Sequence, residues 1–250
     1  MGWHWPAANG VRVPFTSVFS GIGPSVLVLI VGFAAHGTSG TQFHRNITKS
    51  GAFTESVELA LVDGNIGEGA VAASVVETAI SKFGSIDALV NNAGIFFTKS
   101  FTDYTTEDFK ALANTNLEGF LHVTQGAVKQ MLAQKSGGSV VSITTSLVVN
   151  PIAGITASVP MITKGGLEAV TRSLASEYAK EHIRFNAVAP GVVDTPLHKN
   201  NPKDFLKSLS PMGTISDVSD IVDAVVYLTE AGQVTGEVLH VDGGAHSSKW

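Results

Sequence analysis

The sequence predicts an α/β fold, a doubly wound parallel sheet in a single domain, on three observations. From about residue 56 onward, short apolar runs of strand length alternate with segments of helical period. The runs are apolar at consecutive positions, as strands covered on both faces require. Several of them end in Asn, Gly or Pro, residues that turn a chain out of a sheet. The 250 residues, 44% of them hydrophobic, suffice for one such core.

In chain order, Val57–Val62 reads as a strand, and Ala70–Phe83 as a helix through Val71, Val75, Ala79 and Phe83. Ile86–Val90 is a strand ending in the turn Asn91-Asn92-Ala93-Gly94. Phe109–Met131 has helical period over its whole length, stopped by Gly137-Gly138. Ser139–Thr144 is a strand, Met161–Lys180 a helix, and Arg184–Ala189 a strand closed by Pro190-Gly191. Asp217–Leu228 completes the helices and Val238–Val241 the strands. In such a sheet, ligands bind beyond the carboxyl ends of the strands. The loops after Val90, Thr144 and Ala189 are therefore expected to meet at one site.

Residues 1–50 differ from the rest: they hold Arg12, Arg45 and Lys49 and no acid, while the whole chain carries −5. Val13 to Ala35 lacks charge and contains the run VLVLIV at 26–31. Its dense apolar part is only about ten residues long, short of the ~20 that cross a bilayer, and Pro14, Gly21, Gly23, Pro24 and Gly32 interrupt it. Arg12 alone is a weak start for a signal peptide. A buried strand or core helix is expected there, and with it a cytoplasmic chain without a membrane partner. With no cysteine, disulfides, thiolate metal sites and cysteine nucleophiles are excluded, and no metal is expected. The acidic balance gives no footprint for nucleic acid.

Six segments in order carry a resemblance: NNAG at 91–94, NTNLEG at 114–119, GGSVVSITTS at 137–146, TKGGLEAVTRSLASEYA at 163–179, IRFNAVAPGVVDTP at 183–196 and VTGEVLHVDGG at 234–244. Over residues 56–246 the chain resembles the short-chain dehydrogenase/reductase family, residues 1–50 being atypical. The resemblance implies a Rossmann-like three-layer sandwich, a homodimer or homotetramer, and hydride transfer between NAD or NADP and a small alcohol or carbonyl. It places Asn91, Ala93 and Gly94 beside the adenosine half of the cofactor, and Pro190, Gly191 and Thr195 at the nicotinamide end. Asp63 is expected to reach the adenine; Arg45 is read as a surface arginine, with contact to the 2′-phosphate of NADP as the alternative.

The family's catalytic group is Asn, Ser, Tyr and Lys. Tyrosine exchanges the proton with the substrate oxygen, and lysine one turn later stabilises the phenolate and contacts the ribose. Asn116 and Lys164 fall at their positions, and the serine's hydroxyl is supplied by Thr144, Thr145 or Ser146, of which Thr145 is the best match in strand register. Pro160 stands where the tyrosine should, four residues before Lys164, and the interval from Thr145 is about two residues longer than the family's. Neither Tyr104, Tyr178 nor Tyr227 matches the position. A buried Lys164, Ser158 or Thr163 as relay, or a bound water are the possible replacements. A lapsed enzyme that only binds nucleotide or acts as a scaffold is the alternative reading.

The family's glycine-rich phosphate turn is expected at 16–23, with Gly21, Ile22 and Gly23 as its end and Val11–Phe15 as the preceding strand. The rival placement has the strand at Val26–Val31 and the loop at Gly32, Gly37 and Gly40. Substrate specificity is expected around Leu197–Leu209.

Overall fold

A computed structural model describes the strands at 16–20 and 27–31, residues 59–198 and residues 200–247. Among the described residues seven strands make one sheet: β1 (Thr16–Ser20), β2 (Leu27–Val31), β3 (Leu59–Val62), β4 (Ala88–Asn91), β5 (Gly138–Ile143), β6 (Ile183–Pro190) and β7 (Val238–Val241), in the order β3–β1–β2–β4–β5–β6–β7. From β2 through β7 every neighbouring pair is parallel. β1 is antiparallel to both β2 and β3, so the expected parallel sheet is reversed at one strand. Only residues 21–26 separate β1 from β2, and a parallel crossover needs a dozen or more.

This arrangement bears on the phosphate turn. Thr16–Ser20, expected as the leading half of that turn, is strand instead. Leu27–Val31, the strand of the rival placement, lies parallel to β4. Val11–Phe15, Gly21, Ile22, Gly23, Gly32, Gly37, Gly40 and Arg45 lie outside the described residues.

Among the described residues the helices are α1 (Gly69–Phe83), α2 (Thr106–Ala113), α3 (Gly119–Gln134), α4 (Ser158–Glu177), α5 (Lys203–Lys207) and α6 (Val218–Glu230). α2 begins at a capping box, with the Asp108 amide donating to Thr105 Oγ1 and the Thr105 amide to Asp108 Oδ2. The helix expected at 109–131 is α2 and α3 joined through a π-helical turn, Asn114–Glu118. No helix of the described residues is long and apolar enough to cross a membrane.

The helices cover both faces of the sheet. On one, Val75 and Ala79 of α1, Val123, Ala127 and Met131 of α3 and Ala175 of α4 pack with Leu89, Val140 and Phe185. On the other, Ala224 and Leu228 of α6 pack with Val141 and Val188. Val140 and Val141 thus serve opposite layers, which is why the strand is apolar at consecutive positions. Arg184 of β6 donates to the Leu228, Thr229 and Val234 carbonyls, satisfying two that the end of α6 leaves open.

The parallel ladders bring the carboxyl ends of β4, β5 and β6 to one rim, with the chain's change of direction between β2 and β4 beside it. Among the described residues Phe185 has the largest of the fully buried side chains, and it joins α4 to this sheet. Phe185→Ala is expected to lower the free energy of unfolding by about 3–5 kcal/mol, measured by urea denaturation.

Candidate active site

Helix α4 delivers the lysine to the rim. Its first hydrogen bond runs from the Met161 amide to the Ala157 carbonyl at 3.2 Å. The amides of residues 158–160 precede that bond and need no helical partner, so Pro160 sits where a missing N–H costs nothing. One turn later, Lys164 Nζ donates to the Ile143 carbonyl at the end of β5, at 2.7 Å. The residue is 9% exposed, and none of the ion pairs among the described residues includes it. Burial pulls its ammonium down to about 8, because water no longer solvates the charge.

The π-helical turn sets Asn116 opposite that lysine. Asn116 is buried, and its side chain is fully engaged: Oδ1 accepts from the Ile95 amide at 2.8 Å, while Nδ2 donates to the Ile95 carbonyl at 3.1 Å and to Thr163 Oγ1 at 3.0 Å. Thr163 Oγ1 in turn donates to the Pro160 carbonyl at 2.8 Å. The loop after β4 is thereby tied to α4. Gly94 lies between them: a Cβ there would stand 3.1 Å from Lys164 Nζ and 3.2 Å from Asn116 Oδ1. A π turn inside a longer helix often marks a functional position, and here it carries the asparagine.

Thr145 follows β5 as the cap of a short 3-10 turn at Ser146–Val148, its Oγ1 accepting from the Leu147 amide at 3.3 Å. That bond occupies an oxygen lone pair and leaves the hydroxyl hydrogen free to donate. Asn91 is buried and donates from Nδ2 to Thr124 Oγ1, which makes it a tie between β4 and α3. Ala93 packs against the apolar core. Asp63 is exposed just past β3, at the same edge of the sheet. Pro190 ends β6; a Cβ on Gly191 would meet Asp242 Cα at 2.9 Å, and Thr195 accepts the His198 amide through its carbonyl. Lys164, Asn116 and Gly94 are brought into direct proximity, with Thr145 two residues past the Ile143 carbonyl that holds the lysine.

The tyrosines are elsewhere. Tyr104 donates to the Phe97 carbonyl at 2.8 Å, Tyr178 ends α4 against Phe185, and Tyr227 is exposed on α6.

Two features escaped the sequence reading. Glu168, one turn beyond Lys164, is buried with Oε1 unpartnered, and burial raises its carboxyl above the usual range against the lowering effects of Thr144 and Arg172. Its spacing of four from Lys164 was the available signal. A cavity of about 250 Å³ opens between Phe101 and the segment running from Leu147 to Met161.

Residues 33–246 match the family described as enoyl-(acyl carrier protein) reductase. The chain is 35% identical over 175 residues to the 3-oxoacyl-[acyl-carrier-protein] reductase FabG of Thermotoga maritima, covering 68% of this chain and 70% of that protein. It is 30% identical over 242 residues to the L-xylulose reductase of Mesocricetus auratus, covering 94% of this chain and 96% of that one. The 3-ketoacyl-(acyl-carrier-protein) reductase of Brucella melitensis, solved in complex with NADH, superposes with a TM-score of 0.69 at 29% identity, over 74% of this chain and 77% of that chain.

The chain belongs to the short-chain dehydrogenase/reductase family. It is accordingly an NAD(P)-dependent oxidoreductase with the Rossmann-like fold of that family.

The lysine's burial has a consequence for stability. Between pH 8 and 10.5 the unfolded chain keeps a proton on Lys164 that the folded chain has released. Stability therefore rises with pH across that window relative to a chain lacking the amine. The difference in unfolding free energy between the native chain and Lys164→Met is expected to move in favour of the native chain by roughly 3 kcal/mol from pH 8 to 10.5, read by urea denaturation at each pH.

Proposed function

We propose that the chain interconverts a small carbonyl compound and its alcohol with the Lys164 ammonium as the proton donor, in place of the phenol its relatives' pattern calls for. The observation that carries this reading is the burial of Lys164 at the strand rim, which brings its proton within reach at about pH 8.

The residues present fit a nicotinamide dinucleotide. Gly94 keeps the space over Lys164 and Asn116 free of a side chain, and Lys164 Nζ is a donor suited to ribose hydroxyls. Asn91, Ala93, Gly94 and Asp63 would hold the adenosine side, and Pro190, Gly191 and Thr195 the nicotinamide side. The bound cofactor supplies or accepts the hydride. In the reductive direction, negative charge grows on the substrate oxygen; Thr145 Oγ1 donates a hydrogen bond to it and Lys164 Nζ delivers the proton. Asn116 is a positioning residue: its bonds to Ile95 and Thr163 hold the loop after β4 against α4. A homodimer or homotetramer is the proposed assembly, supported by the half-exposed Val222 and Tyr227 on α6.

The test is carbonyl reduction followed by loss of NADH or NADPH absorbance across pH. The rate constant kcat is expected to fall as pH rises through about 8, where the lysine loses the proton it must give. Lys164→Met should lower kcat by about 10²–10⁴-fold, and Pro160→Tyr should raise it and change the pH profile. Absence of nucleotide binding, or turnover indifferent to Lys164→Met, would overturn the proposal.

A further inference from the structure

The cavity of about 250 Å³ has a uniform chemistry. Leu147, Pro151, Ile152, Ile155 and Met161 supply apolar walls and Phe101, largely exposed, completes them. Thr156 and Ser158 contribute the lining's only polar side chains, both hydroxyls, and no charged residue lines it. The nearby loop cation is already paired: the Lys99 amide donates to the Thr156 carbonyl at 3.2 Å, while Lys99 Nζ lies 2.6 Å from Asp108 Oδ2.

The cavity shares its supports with the reacting groups. Leu147 gives its amide to Thr145 Oγ1, and Met161 precedes Lys164 by three residues on α4, on a neighbouring position of the same helix face. Its outer wall is the stretch between β5 and α4, where this chain is longer than its family's pattern. That stretch is folded on itself, with the Ile155 amide donating to the Ile152 carbonyl and the Ala157 amide to that of Ile155.

We propose that this cavity binds the hydrocarbon portion of an uncharged ketone or aldehyde, so that the substrates are alkyl carbonyl compounds rather than oxo acids, sugar phosphates or polyols. The proposal rests on the carbonyl reading above and adds the substrate class to it. A carboxylate or phosphate placed here would lose water and gain no cation. A polyol would find two hydroxyls where it needs a partner for each of its own. The volume lies just below the ~300–1,000 Å³ typical of ligand pockets, which limits the hydrocarbon group to a small one.

The deciding experiment titrates the full chain with 2-alkanones from 2-butanone to 2-octanone by ligand-observed NMR, with and without NADPH, beside 4-oxopentanoate and 6-oxoheptanoate, whose carboxylate stands at the far end of the chain from the carbonyl and so away from Lys164. The Kd is expected to fall about fourfold per added methylene until the cavity is full, with the oxo acids at least tenfold weaker than alkanones of equal length. Ile155→Lys should abolish the dependence on length, and Ile155→Ala, which adds no charge, should weaken the longer alkanones about tenfold. A Kd independent of chain length, oxo acids bound as tightly as alkanones, or an unchanged series in Ile155→Ala would overturn the proposal. Because the titration needs no turnover, a flat series with active reduction refutes the substrate class alone. A normal series without reduction refutes the acid role of Lys164 and leaves the cavity's assignment standing.

Discussion

Lys164 exchanges most of its water for one hydrogen bond, to the Ile143 carbonyl, and the rim of the sheet is built around that exchange. A carbonyl dipole orients an ammonium but does not neutralise it, so the charged and neutral forms of the amine come close in free energy at about pH 8. Holding a cation under those terms requires that its surroundings be fixed by other forces. The ladder between β5 and β6 fixes the carbonyl, and the packing of α4 on β6 fixes the amine. A lysine so placed exchanges its proton near pH 8, well below the range of a solvated amine.

The second constraint is the network through Asn116. A helix running without interruption from α2 to α3 would present residue 116 at a different angle; the π turn between them turns it towards the loop after β4. Once there, it satisfies both backbone groups of Ile95 and the Thr163 hydroxyl, so that three segments distant in the chain are joined by neutral hydrogen bonds. Such bonds gain strength from burial and are costly to leave half made. Glu168 extends the polar interior of α4 by another turn, with an oxygen left unpartnered among buried groups.

How much of this was legible in the sequence varied with the kind of signal. β4 to β7 are continuous apolar runs closed by turn residues, and the structure places them within two residues of where the pattern does. Asn116, Thr145 and Lys164 were singled out because a family pattern names positions, and the fold brings their segments together. The break at Asn114–Glu118 was invisible, since a π turn inserts one residue per turn without altering apolar period enough to notice. β1 was misread for a related reason: Thr-Ser-Val-Phe-Ser is too polar to announce a strand, and its direction depends on its neighbours rather than on its composition. The cavity wall is not legible in the sequence because Pro151, Ile152 and Ile155 lie in a loop, where apolar residues follow no period, whereas the pattern points to Leu197–Leu209 for specificity.

Pro160 has a wider meaning because of where it lies in α4. The first turn of a helix makes no demand on its amides, so the backbone there is indifferent to what the side chain can do. Reactivity at this position and integrity of the fold are therefore separable properties, free to drift apart in descent. Because Thr163 takes only the backbone carbonyl of Pro160, the contacts of Lys164, Asn116 and Thr163 that assemble the rim make no use of the side chain at residue 160.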